Sequence, residues 1–204
     1  MFRTVFNDVN EYIKERVTTL TGADLYSLKS EFYDVCNEYM GHTKDLTGIT
    51  ELLINMYLVN FFKNKGMPYR IERNYPCGGN NGHDNELDIA VLNEGNGIVY
   101  GFSVKREMGS AGWKKHELVS DVCQSYRARY GKNNITQDLY CLDNIKRCGN
   151  SSFPSITFIF EDVNTKALVK LDAIAANIDF NHKYIILKGN QNVIWDELGC
   201  KLSL

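Results

Sequence analysis

A chain of 204 residues, 44% apolar and 24% charged, has an ordinary globular balance and is long enough to support a core without staples. Its net charge of −2 excludes a protein that coats nucleic acid over its whole surface, so any anion-binding surface has to be local. No signal peptide and no bilayer-length apolar run is read, and six scattered cysteines without a CxxC pair fit no common zinc pattern, so the expectation is a reduced, cytoplasmic compartment.

In chain order, Phe6, Val9, Tyr12, Ile13 and Val17 recur at helical spacing over 5–18, and Leu25, Leu28, Phe32, Val35 and Cys36 do so over 24–39. The strongest helix is expected over 49–63, from Ile49 through Leu52, Leu53, Met56, Tyr57, Leu58, Phe61 and Phe62, with Thr47 as N-cap and Lys65-Gly66 closing it. The period then changes. Residues 69–75 alternate like a half-exposed strand, and a polar, glycine-rich loop follows over 76–85. Two apolar strands over 86–92 and 98–105 flank a turn at Asn93-Glu94-Gly95-Asn96-Gly97. A helix is expected over 112–130, with Leu118, Val119, Val122, Cys123 and Tyr126 on its apolar face. Residues 131–154 read as irregular and polar. A buried strand over 155–160, a helix over 168–178 and a late strand over 184–187 complete the order. The expected fold is α/β, a central mixed sheet flanked by helices.

The chemistry gathers on the paired strands. Carboxylates and lysines are poor strand residues and costly to bury unpaired, so Asp88 among Leu87, Ile89 and Ala90, opposite a strand that ends in Lys105, points to a site. The acid can hold a hard cation, and the lysine can orient a water or balance anionic charge, which suits phosphodiester cleavage. Ser103 is in phase with Lys105, and Glu86 with Asp88, so each pair shares a strand face. Residues 105–132 carry seven basic side chains against three acidic ones. Lys114, Lys115, Arg127 and Arg129 suit phosphate contacts, although a basic helix is equally a solvated face. His83 beside Asp84 and Glu86 reads as polar loop rather than as a metal site.

A helix bearing a glutamate, a strand, a strand with Asp88, a strand ending in Ser103-Val104-Lys105, a helix and a further strand together resemble the PD-(D/E)xK nuclease superfamily. That superfamily includes type II restriction endonucleases and archaeal Holliday-junction resolvases. The resemblance covers residues 48–161 and rests on the ordered layout, because the motif itself is short. The length fits one domain: an N-terminal helical region over 1–45, the stretch 48–161 that the resemblance makes a catalytic core, and C-terminal helix and strand elements over 162–204. The resemblance implies a restriction-endonuclease-like core and cleavage of double-stranded DNA using Mg²⁺, with Mn²⁺ as substitute, and the added N-terminal region and long loops suit a homodimer. On that resemblance Asp88 and Glu51 are metal ligands together with the Val104 carbonyl. Lys105 positions the attacking water or helps it lose a proton, and Gln124 on the following helix joins the DNA contacts.

Ser103 departs from the pattern, standing where most members carry a second acid. A hydroxyl is a weak cation ligand, so Glu51 or Glu107 has to supply the missing carboxylate, or the protein binds DNA without cutting it. Glu51 also has a bland reading, since any acid in a first helical turn gains from the helix dipole. The added N-terminal region and the long loops favour a restriction endonuclease over a junction resolvase.

Overall fold

The computed structural model describes residues 2–41, 46–79, 85–106, 134–148 and 153–204. Helix α1 spans Phe2–Arg16, α2 Gly22–Met40 and α3 Thr47–Asn64. A capping box starts α2: the Thr21 hydroxyl accepts the Asp24 N–H, and the Asp24 carboxylate accepts the Thr21 N–H at 2.8 Å. Gly41, at φ 71°, ends the helix in the left-handed region that glycine adopts without strain. In α3 the apolar residues crowd more than one face, and Leu53, Ile54, Tyr57, Leu58, Phe61 and Phe62 are all buried. The helix therefore lies inside the protein. It begins at Thr47 itself, with Leu46 in the cap position and no side-chain cap bond, so the expected Thr47 N-cap is not the one found.

The sheet has five strands in the order β1-β2-β3-β4-β5. Strands β1 (Arg70–Cys77), β2 (Asn85–Leu92) and β3 (Ile98–Lys105) form an antiparallel meander. Strands β4 (Ser155–Ile159) and β5 (His182–Ile186) run parallel to β3. The β2–β3 turn is held by the Asn93 side chain, which accepts the N–H groups of Gly95 and Gly97 at 3.0 and 2.9 Å. Helices α4 (Asn134–Cys148), α5 (Thr165–Ala175) and α6 (Ile194–Leu202) complete the described chain. This is the mixed α/β architecture expected, a central sheet with helices on both faces.

Strand alternation sorts the core into two layers. Ile89, Val91, Phe102, Val104, Ile156, Phe158 and Ile185 face α1, α2, α3 and α6. Ala90, Leu92, Ile159 and Tyr184 face α4 and α5, meeting Leu139, Leu142, Ile145, Leu171 and Ile174. Gly101 is needed on this second face, because any Cβ there would come within 2.5 Å of the Phe153 ring. At 56% exposure, Val35 lies off the apolar face of α2, against its sequence reading.

Two elements differ from the sequence reading. Residues 134–148, inside the stretch expected to be irregular, form α4, and α6 was not anticipated. Buried polar residues explain the first case. Asp138, Asp143 and Asn144 lie on the inner side of α4 and interrupt its apolar stripe, so the segment reads as polar. The helix expected over 112–130 lies outside the described residues.

Candidate functional site

The site forms where β2 and β3 come apart. Their ladder runs from Leu92↔Ile98 to Ile89↔Phe102 and stops there. One residue on, the Asp88 side chain takes over the role of a strand partner and accepts the Val104 backbone N–H on Oδ2 at 2.7 Å. A residue's N–H and C=O point to the same side of a strand, so the Val104 carbonyl is also turned toward β2. Lys105, the last residue of β3, sets its Nζ 3.5 Å from the same Asp88 oxygen. The sequence pairing of Asp88 with Lys105 is therefore found in space.

A third residue joins them that the sequence reading missed. Asp138, in the first turns of α4, places Oδ1 3.0 Å from Lys105 Nζ, closer than Asp88 does. Its Oδ2 accepts the Thr157 hydroxyl at 2.6 Å. Asp138 and Thr157 are both buried, with Thr157 fully so. The signal for α4 lay in Leu139, Leu142 and Ile145, whose spacing is helical. An acid just before that stripe is the feature that pointed at the sheet.

Burial and charge set the protonation states. Burial pushes the Asp88 carboxyl up to about 6, and the nearby Asp138 and Glu51 carboxylates add to the rise against the opposing Lys105 ammonium and Val104 N–H. Burial would lower the Lys105 pKa, but the charges of Asp138 and then Asp88 outweigh it and hold the ammonium above its usual range. Burial would likewise raise Asp138, yet Lys105 and the Thr157 hydroxyl keep it below the usual carboxylate range. Lys105 is thus a fixed cation near neutral pH and not a proton acceptor.

These groups open on a cleft of about 350 Å³ lined by Thr50, Glu51, Glu86, Asp88, Val104, Lys105, Arg106, Gln137, Asp138 and Cys141. Glu51 lies on its rim, with Arg73 Nη2 3.2 Å from its carboxylate. The first turns of α3 and α4 supply Thr50, Glu51, Gln137 and Asp138, so two helix N-termini border the cleft and favour an anionic ligand. Ser103 is buried on the same sheet face, opposite Thr157, and is absent from the residues lining the cleft. Its side was read correctly, and Asp138 rather than Ser103 presents a polar group to Lys105.

The structure thus brings together Asp88, Lys105, Glu51, Glu86 and Val104 of the residues singled out in the sequence. Glu107, Lys114, Lys115, Gln124, Arg127, Arg129, His83 and Asp84 lie outside the described residues. Among the described residues no three His, Cys, Asp or Glu side chains converge into a ready-made metal cage. Among them, too, no helix is long and apolar enough to cross a membrane. Chemically, the cleft offers carboxylate oxygens beside a half-buried ammonium that stays charged near neutral pH. In comparisons with known proteins, the chain matches no family model, no curated protein and no solved structure.

Proposed function

We propose that the cleft hydrolyses phosphodiester bonds of double-stranded DNA with Mg²⁺, in the manner of a type II restriction endonuclease of the PD-(D/E)xK superfamily. The observation that carries this reading is Asp88 and Lys105, from adjacent strands and 3.5 Å apart, facing an open cleft with Glu51 on its rim. An acid and a lysine so placed serve a phosphate: the acid for a cation, the lysine for the anionic oxygens.

The donor set suits a magnesium ion held by few protein ligands. Mg²⁺ takes one or two carboxylates and completes its shell with waters and substrate phosphate oxygens. Both bonds that Asp88 receives from described residues fall on Oδ2, which leaves Oδ1 for the cleft. Asp88, Glu51 and the Val104 carbonyl would hold the ion. When bound, it supplies Lewis-acid stabilisation of phosphate charge and a more acidic water.

The chain's own residues do the rest. Lys105 donates to a phosphate oxygen or to the attacking water and stays protonated throughout, because Asp138 and Asp88 hold its proton. Its fixed charge offsets the negative charge that develops in the transition state. Asp138 takes no part in proton transfer and anchors Lys105. Arg73 and Arg106 add positive charge at the cleft and draw the DNA backbone toward it.

Incubation with plasmid, a four-way DNA junction and duplex RNA in Mg²⁺ tests the reading. Discrete plasmid fragments with 5′ phosphates support it. Cutting confined to the junction transfers the site to a structure-specific nuclease, and a mobility shift without cutting to a DNA-binding protein. Neither shift nor cutting overturns the reading.

A further inference from the structure

Behind Asp138 a line of buried side chains continues across the sheet. Thr157 Oγ1 lies 2.6 Å from Asp138 Oδ2 and 3.1 Å from His182 Nε2, and Ser155 Oγ lies 2.8 Å from His182 Nδ1. Ser155, Thr157 and His182 are each at most 1% exposed. Strands β4 and β5 pair Ser155 with His182 and Thr157 with Tyr184, so the imidazole spans two residues of the neighbouring strand on one face. The Phe180 and Tyr184 rings meet it at steep angles, with ring centroids 6.0 and 4.7 Å away.

Counting protons fixes the direction of every bond. The Thr157 hydroxyl has one proton, and its short contact with an ionised carboxylate takes it. Thr157 Oγ1 therefore accepts from His182, so Nε2 carries the ring proton. Burial keeps the ring neutral, driving its pKa down to about 3, and Nδ1 is left as an acceptor. Ser155 Oγ–H then donates to Nδ1 at 2.8 Å in preference to the Asn181 carbonyl at 3.4 Å. All four members are satisfied in this arrangement, with one ring tautomer and one orientation of Asp138.

We propose that Thr157 and His182 are positioning residues of this site: the chain Ser155–His182–Thr157 fixes the Asp138 carboxylate, which in turn holds Lys105 against Asp88. The inference rests on the reading of the cleft as a phosphodiesterase and adds how its cation is aimed. None of these three residues lines the cleft, so their effect passes through Asp138 and Lys105. Fixing an ammonium to within a fraction of an ångström is worth the burial of a polar network only where its direction matters.

Thr157→Val keeps the side chain's shape and removes both the proton given to Asp138 and the oxygen offered to His182. Thr157→Ser restores them. Two readouts on the full chain separate positioning from mere support. One is heteronuclear NMR of the Lys105 ammonium and the His182 ring; the other is steady-state cleavage of plasmid in Mg²⁺. Wild type and Thr157→Ser should show a slowly exchanging Lys105 signal and a His182 proton on Nε2. Thr157→Val should lose the Lys105 signal and lower kcat by roughly tenfold or more, with KM changed by less than about twofold and Thr157→Ser recovering most of the rate.

A proton on Nδ1, a Lys105 signal that survives Thr157→Val, or an unchanged kcat once the signal is lost would each overturn the proposal. If wild type itself does not cut, the nuclease reading fails, and the NMR experiment alone decides whether the chain holds Lys105. Should Thr157→Val not fold, Thr157→Ala, which also lacks the hydroxyl, takes the same readouts.

Discussion

Asp138 on α4 holds the Lys105 ammonium at 3.0 Å, so the lysine that closes β3 is anchored by a helix packed across the sheet face. Asp138 is buried and Lys105 half-buried, so breaking the pair from one side leaves a charge in a poorly solvated setting. Asp138→Asn should therefore destabilise the fold by about 3 kcal/mol. The double variant Asp138→Asn with Lys105→Met removes both charges and should recover part of that loss. Urea denaturation of the two single variants and the double variant measures the coupling. Additive losses would mean that the two side chains do not depend on each other.

Asp88 gives a pH dependence of unusual sign. Its carboxyl is pushed up to about 6 by burial, so the folded protein holds that proton more tightly than the unfolded chain. Above about pH 6 both states are ionised and the folded state carries the penalty in full. As pH falls from there toward 4 the penalty fades. Asp88→Asn, neutral throughout, should be more stable than wild type above that window by about 1 kcal/mol. The full shift would give more, but the carboxylate is partly open to the cleft and the variant loses its Lys105 contact. The difference should close as pH falls toward 4. Thermal denaturation in chelator across this range checks it; a difference that widens on acidification contradicts the raised carboxyl.

How much of this was legible in the sequence depends on what each residue buries. Asp88 and Lys105 stood out because charge interrupts an apolar strand, and strand alternation gave their faces. The α3 helix and the β2–β3 turn were equally plain, since apolar spacing and the Asn-Gly pattern act locally. Asp138, Thr157 and His182 were missed for the opposite reason. Each is polar and meets partners distant in the chain, so the apolar spacing around Asp138 and the buried strand around Thr157 place the backbone without showing which polar groups it would bring together. Asp138, with the buried Asp143 and Asn144, also hid α4. Ser103 is a gap only against the pattern the chain resembles, and the carboxylate nearest Lys105 comes from a helix that was not read.

Glu51 separates structure from chemistry. Its contact with Arg73 at 3.2 Å is partly exposed, and such pairs contribute little. Glu51→Gln should cost less than about 1 kcal/mol of stability. If Glu51 supplies the second carboxylate, the same variant should lower the cleavage rate by at least about a hundredfold. Paired denaturation and single-turnover assays read both effects. A small loss in both would make Glu51 a rim residue only.

Gly101 tests the packing beneath the site. A methyl group there meets the Phe153 ring at 2.5 Å, and the Gly101 N–H bond to the carbonyl of Pro154, the residue after Phe153, at 3.1 Å holds that segment against β3. Gly101→Ala should destabilise by about 1–3 kcal/mol, the usual cost of overpacking. Gly101→Ala with Phe153→Leu should recover part of it. Chemical denaturation decides, and a neutral Gly101→Ala would mean that Phe153 does not pack on β3 as described.

The most direct test of the account is cleavage of supercoiled plasmid in Mg²⁺ by wild type, Asp88→Ala and Lys105→Ala, each shown to be folded by circular dichroism. Wild type should cut and leave 5′ phosphates, excess EDTA should stop it, and both variants should lose cutting while keeping most of their DNA affinity. Cutting at the wild-type rate by either folded variant, or undiminished in EDTA, would contradict the claim that Asp88 and Lys105 form a metal-dependent phosphodiesterase site.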